Sequence, residues 1–184
     1  MLAITDSTIT KNSVNNVNPA VITGCIDTLQ QGASFLAKLS EEEYTVIIKP
    51  HFISSIGEHF RHILDVFHAI MHANHAIDYN QRRRGHEVER YRHSAEMELS
   101  GVIHWLKSKN EPELLTPVSV ITEVSPCATK SCEMGSTLGR ELTFAALHAT
   151  HHYALTKIMA GLLGSPSDNS FGIAPATATH IRGQ

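Results

Sequence analysis

Apolar side chains recur at helical spacing over four long stretches of the chain, with polar side chains between them. Residues that favour helix N-termini precede three of these stretches, and glycines follow the last one. The pattern therefore predicts four amphipathic helices. We expect them from Asn18-Pro19 to Leu39, where Gly32 interrupts the apolar spacing, from Ser54 or Ser55 to about Asp78, from about Glu87 to Lys107, and from Ser136 or Thr137 to near Gly161 or Gly164.

The segments between the predicted helices carry shorter patterns. Residues 41–51 are predicted as a linker with a short extended piece over residues 44–48. Between Pro112 and Gly135, alternation over residues 118–124 and the turn formers around it favour a small β-hairpin. Four long helices with this insertion before the last one indicate an all-α fold, a four-helix bundle with a small hairpin insertion.

Length and composition indicate one globular domain. The chain has 184 residues, of which 42% are hydrophobic and 18% charged, which is enough to build a sizeable core. We expect this domain over residues 17–184, preceded by a flexible N-terminal arm over residues 1–16 that is rich in Thr, Ser and Asn. The tail, with Pro166 and Pro175, is expected to lie along the surface.

Charge, termini and cysteines exclude several classes of protein. A net charge of −3 gives no global attraction to nucleic acid or to an anionic membrane. The N-terminus does not resemble a secretory signal, and the best membrane candidate, residues 144–163, contains three histidines and Lys157. Three cysteines do not form a disulfide framework, so we expect reduced thiols and a cytoplasmic location.

Histidine is the unusual residue, with 13 copies against 15 lysines and arginines. On a helical wheel, His148 and His152 share the inward face of the last helix, and Glu141 lies on the same face. Side chains at i and i+4 are close enough for two imidazoles to bind one ion, whereas His151 lies about 60° away. Spacing alone leaves both metal binding and core hydrogen bonding open for this pair.

The second predicted helix carries histidines on two faces. His59 falls inside the apolar arc of its wheel, and His62 lies at the edge of that arc. His68, His72 and His75 fall on the far side, where we interpret them as a solvent-facing row. An inward histidine from this helix would favour a metal site, because one ion satisfies three buried imidazoles together.

These histidines also carry a resemblance to a known family. Residues 56–65 (IGEHFRHILD) and 147–154 (LHATHHYA) resemble the DinB-like (YfiT-like) superfamily of metal-dependent enzymes. Its members are four-helix bundles with one histidine from the second helix, followed by two aliphatic residues and an acid, and a His-x3-His from the last helix. The resemblance implies His62, His148 and His152 as metal ligands, with His59 as a rival ligand or an outer partner.

The resemblance also implies a chemistry. The cofactor would be a divalent transition metal, zinc or nickel first, with an open position that lowers the pKa of bound water to about 7 or deprotonates a thiol. Relatives include thiol S-transferases and a thiol-dependent maleylpyruvate isomerase. Metal-assisted thiol transfer with a low-molecular-weight thiol, or hydrolysis, is therefore expected, and the choice between them stays open.

Four further residues are candidates for roles beside the metal. Asp65 could orient a ligand imidazole or act as a base, and Glu141 is a second candidate base. The run Arg82-Arg83-Arg84, in a loop that weakly resembles the same family, could hold carboxylates of a substrate or thiol, with Arg82 and Arg84 as its candidate binding residues. Ordinary ion pairing or solvation is the competing interpretation of each of these four.

Two function classes fit these sequence features. The first is a metal-dependent enzyme acting on a small-molecule substrate, without nucleic acid or membrane. The second is a non-catalytic metal-binding or stress-related protein that keeps the same fold. A di-iron carboxylate bundle is excluded because no glutamate has a histidine three residues later. DinB-like relatives are often dimers, which leaves a homodimer open.

Overall fold

The computed structural model describes residues 19–165 and 167–184, so the arm predicted over residues 1–16 and the predicted role of Pro166 lie outside the described residues. In the described ranges the protein is mostly helical, with a small three-stranded sheet. The helices are α1 (Ala20–Leu36), α2 (Glu41–Thr45), α3 (Ile56–Met71), α4 (Arg92–Lys107), α5 (Glu111–Leu114), α6 (Leu138–Leu162) and α7 (Pro175–Arg182), with a 3-10 helix at Glu87–Glu89. The strands are β1 (Ile77–Asp78), β2 (Pro117–Glu123) and β3 (Ser131–Thr137).

The four long helices α1, α3, α4 and α6 share one hydrophobic core. Helices α1 and α3 each pack against both α4 and α6. Leu29, Leu64, Leu99 and Leu142 contribute one fully buried leucine from each of these helices. None of the described helices combines the length and the apolar character needed to cross a bilayer.

The predicted hairpin is confirmed, and a short third strand joins it. Strands β2 and β3 pair antiparallel, with Val120 opposite Met134, while β1 pairs parallel with β2. The second predicted helix was expected to reach Asp78, which is wrong. It ends at Met71, because the backbone of Ile77 and Asp78 pairs instead with strand β2.

Helix boundaries differ from the expected ones where local hydrogen bonds decide them. The extended piece predicted over residues 44–48 is wrong for Tyr44 and Thr45, because Ser40 and Glu43 form a reciprocal capping box that starts α2 within the predicted linker, whereas Val46 has an extended backbone. The first helix begins at Ala20 with Pro19 as its N-cap and ends at Leu36, three residues before the predicted Leu39. The third predicted helix is divided into the 3-10 helix and α4.

The last long helix begins where one of the two predicted caps stands. The Thr137 hydroxyl accepts a hydrogen bond from the Arg140 backbone N–H (3.3 Å), and α6 continues for 25 residues to Leu162. The tail lies along the surface as expected and adds the helix α7. Its Phe171 is buried and stacks on Tyr153, with ring centroids 4.9 Å apart.

Candidate metal centre

Three histidines from α3 and α6 converge on one point. The Nε2 atom of His148 lies 2.8 Å from that of His62 and 3.1 Å from that of His152. One ring nitrogen of each residue lies within 4.8 Å of those of the other two. Among the His, Cys, Asp and Glu side chains of the described residues, these three histidines are the group placed closely enough to hold a metal ion.

The local structure of both helices explains this convergence. The i, i+4 spacing puts His148 and His152 on one face of α6, with their ring centroids 4.6 Å apart. On α3, the reciprocal capping box of Ser55 and Glu58 fixes the first turn, and His62 follows two turns later. Packing of α3 against α6 then brings the ring centroids of His62 and His148 to 4.9 Å from each other.

The cluster fits a metal ion by distance and by donor type. Zinc bonds to imidazole nitrogen at about 2.0–2.1 Å, so two nitrogens on a tetrahedral ion lie about 3.3 Å apart. The separations of 2.8 and 3.1 Å are close to that value. Burial is the largest cause that lowers the pKa of His62, to about 3, and of His152 and His148, so all three rings are neutral donors near pH 7.

His59 contacts the cluster from outside the point of convergence. Its Nδ1 lies 2.9 Å from Nδ1 of His152, on the side of that ring away from His148, and its Nε2 lies 3.1 Å from the Ser54 hydroxyl. A hydrogen-bonded chain therefore runs from His152 through His59 to Ser54. Of the two roles left open by the sequence, this geometry is that of an outer partner.

Asp65 directs its hydrogen bonds to arginines rather than to a ligand imidazole. It is buried, and it accepts hydrogen bonds from Arg61 Nη1 (2.7 Å), from Arg83 Nε (2.7 Å) and from the Arg83 backbone N–H (3.2 Å). No hydrogen bond between described residues joins it to a histidine. The carboxylate thus has the ion-paired environment that was the competing interpretation of this residue.

Glu141 is buried two turns before His148 on α6. Its carboxylate accepts hydrogen bonds from the Tyr79 hydroxyl (2.7 Å), the Ser136 hydroxyl (2.6 Å) and Arg140 Nη1 (3.2 Å). These residues line a cavity of about 300 Å3 together with Phe144. The Phe144 ring stacks against His148 at 5.6 Å between centroids, which connects the cavity wall to the cluster.

The three consecutive arginines of the loop after β1 have different environments. Nη1 of Arg82 is buried and has no hydrogen-bond partner among the described residues. Arg83, the middle residue of this run, binds Asp65 and makes two hydrogen bonds to Glu98 at 2.9 and 2.8 Å. Arg84 is exposed. Arg61 was missed in the sequence, although its i, i+4 spacing to Asp65 is a readable signal.

The histidine row on the far side of α3 is only partly solvent-facing. His72 and His75 are exposed, whereas His68 is half-buried with its Nε2 3.1 Å from Glu98 Oε2. The three residues line a cavity of about 550 Å3 that also contacts Asp65 and Arg83. Their ring nitrogens do not form a three-ligand cluster within the described residues.

Comparisons with known proteins give a short similarity and no family. No family model matches the chain, and no solved structure matches it. The chain is similar to FK506-binding protein 5 of Rhizopus delemar, with 29% identity over 108 residues. The match covers 59% of this chain and 28% of that protein, so the chain spans less than a third of the length of this curated relative.

Proposed function

We propose that this protein is a metal-dependent enzyme of the DinB-like (YfiT-like) type, a four-helix bundle that holds one divalent ion on His62, His148 and His152. The observation that carries the proposal is the convergence of these three imidazoles, one from α3 and two from α6. Zinc or nickel is the expected ion, since both bind neutral imidazole well. The order of the ligands along the chain also follows the pattern of that superfamily.

The surroundings of the cluster favour an enzyme over a sealed structural site. All three imidazoles are half-buried, and three protein ligands leave a further coordination position on a divalent ion. When bound, such an ion lowers the pKa of a coordinated water or thiol. The protein would supply neutral donors, a fixed orientation of His152 through His59, and a cavity wall at Phe144.

Metal content tests the ligand assignment. Protein purified without a histidine tag is expected to hold about one transition-metal ion per chain, measured by elemental analysis. His148→Ala and His152→Ala should each lose most of it, because two imidazoles bind an ion far more weakly than three. His151→Ala is the matched control, because His151 is exposed on the same helix and should keep its metal. Unchanged metal in both ligand variants would refute the site.

Turnover separates the enzyme from a non-catalytic metal-binding protein of the same fold. Metal-loaded protein is expected to accelerate consumption of a low-molecular-weight thiol by an electrophile, or hydrolysis of an activated ester. His152→Ala should abolish the acceleration. Full metal occupancy without either reaction would favour the non-catalytic or stress-related alternative.

A further inference from the structure

The cavity of about 300 Å3 that Glu141 lines lies between the sheet and the first turns of α6. Val120 and Met134, which are paired across β2 and β3, form one wall, and Phe144 of α6 forms another. Most of the cavity surface is apolar, with a few polar groups at one side. Small-molecule sites in proteins have this composition and volumes of about 300–1,000 Å3, so the cavity suits a small ligand.

The polar groups of this cavity converge on the Glu141 carboxylate from three parts of the chain. Its Oε2 accepts a hydrogen bond from the Tyr79 hydroxyl (2.7 Å), and its Oε1 accepts from the Ser136 hydroxyl (2.6 Å) and from Arg140 Nη1 (3.2 Å). A carboxylate offers about four acceptor positions, so Oε2 keeps one that no hydrogen bond among the described residues fills. The Glu141 side chain is 4% exposed and lines the cavity, which makes this acceptor suited to a donor from a ligand.

Arg140 holds a positive charge at the edge of the same cavity. Its side chain is 65% exposed, so the guanidinium is accessible to a ligand. Glu141 binds its Nη1, and the guanidinium carbon lies 5.6 Å from the centre of the Phe144 ring, so both neighbours fix its orientation. Its Nε and Nη2 make no hydrogen bond to other described residues. These two N–H groups share one edge of the guanidinium, the arrangement that binds a carboxylate with two parallel hydrogen bonds.

The two charges select the kind of ligand that fits this cavity. Arg140 and Glu141 have opposite signs and lie side by side on one wall. A ligand with only a negative charge would be repelled by Glu141, and one with only a positive charge would be repelled by Arg140. A ligand that carries both charges matches both side chains, and the apolar walls favour an apolar group on the same molecule.

We propose that this cavity binds a small α-amino acid with an apolar side chain. The carboxylate of the ligand pairs with Nε and Nη2 of Arg140, and its ammonium group donates to Oε2 of Glu141. Its side chain contacts Val120, Met134 and Phe144. The site uses no metal ion, so the proposal goes beyond the proposed function and does not depend on it.

Titration calorimetry of the metal-free full chain with L-leucine and two analogues tests the proposal. Leucine methyl ester lacks the negative charge, and 4-methylpentanoate lacks the ammonium group. Each analogue is expected to bind at least about 10-fold more weakly than leucine, because one charge-assisted pair is lost. Absence of leucine binding to wild type, or equal affinities for the three ligands, would overturn the proposal.

Two arginine variants locate the binding at this cavity. Arg140→Gln is expected to lower leucine affinity about 10- to 100-fold and to leave the affinity for the methyl ester nearly unchanged, because the ester does not pair with the guanidinium. Arg140 is exposed, so the variant should fold, which urea unfolding checks. Arg90→Gln removes the same charge from an exposed position outside the cavity and should change leucine affinity by less than about two-fold. An unchanged Arg140→Gln, or equal losses in both variants, would overturn the proposal.

Discussion

At the scale of single residues, the contact between His59 and His152 determines which nitrogen of His152 is available to a metal. The two Nδ1 atoms lie 2.9 Å apart, so one of them carries the hydrogen between them. With the hydrogen on His152, its Nε2 is a free donor facing His148. His59 then carries its own hydrogen on Nε2 and donates it to the Ser54 hydroxyl. In this arrangement His59 would stabilise the tautomer of His152 whose Nε2 can bind a metal.

Removing the His59 ring should weaken metal binding without changing the number of ions bound. His59→Ala is expected to lower zinc affinity about 10- to 100-fold, because His152 loses the partner that fixes its tautomer and orientation. Competition with a chromophoric chelator measures this affinity. His72→Ala removes an exposed histidine at the end of the same helix and should bind zinc like wild type. Equal zinc affinities of the His59 and His72 variants would count against this role.

At the scale of elements, α1 and α6 approach each other closely next to the part of α6 that carries two histidines of the cluster. Gly32 on α1 faces the fully buried Tyr153, which directly follows His152. A Cβ atom at Gly32 would collide with the hydroxyl of Tyr153. The glycine that interrupts the helical pattern of the sequence thus allows the two helices to pack closely.

Two glycine substitutions on α1 are expected to change stability in opposite directions. Gly32→Ala should lower the free energy of unfolding by about 1–3 kcal/mol, since the collision with Tyr153 outweighs the better helix propensity of alanine. Gly24→Ala, where nothing lies within 4 Å of the added Cβ, should raise it by up to about 1 kcal/mol. Urea unfolding measures both. A stabilised Gly32→Ala would show that α1 and α6 separate without cost.

At the scale of the whole molecule, neutral buried histidines couple folding to pH. Burial lowers the pKa of His59, His62, His148 and His152 below the usual value of 6.5. The unfolded chain therefore binds more protons than the folded protein between about 6.5 and the lower folded-state values, about 3 for His62. Stability must then rise with pH in this window and decline as the pH falls through it.

Metal-free protein is accordingly expected to lose stability on acidification. The loss should begin at a higher pH than protonation of the carboxylates alone would require. Its free energy of unfolding should vary little with pH between 7 and 8 as far as these rings are concerned, and should fall progressively from pH 6.5 towards 5. Glu98 contributes little there: burial alone would raise its pKa, but hydrogen bonds from His68 and Arg83 outweigh burial and hold that pKa at about 2. Urea midpoints at several pH values measure the decline. His62→Gln should reduce its slope, and an unchanged slope would contradict this account.

The part of this architecture that the sequence could predict is the part determined by local spacing. His148 and His152 share a face because helical geometry alone requires it, and Thr137 caps α6 by a short-range contact. Strand β1 could not be read from its surroundings, because Ile77 becomes a strand only by pairing with Val120. The choice of His62 over His59 depends on the packing of α3 against α6. The family resemblance supplied it where the helical wheel favoured His59.

Two further features of the structure correspond to short-range signals in the sequence other than apolar spacing. The Ser40 and Glu43 pair that starts α2 was readable as a capping box. Asp65 was a candidate for a role beside the metal because it follows His62 by three residues, with ion pairing as the competing interpretation. Its hydrogen bonds with Arg61, one turn earlier, and with Arg83 favour ion pairing, since a buried carboxylate is costly without a cation beside it.

The attachment of the Arg82 loop to the sheet has a consequence for how this protein can diversify. The Tyr79 backbone N–H donates to the Ile121 carbonyl (3.0 Å), and the Asn80 side chain accepts from the Glu123 backbone N–H (2.7 Å), so strand β2 anchors the start of the loop. The three histidines of the cluster stand on α3 and α6. Substitutions in the hairpin should therefore shift this loop while the scaffold of the cluster stays the same.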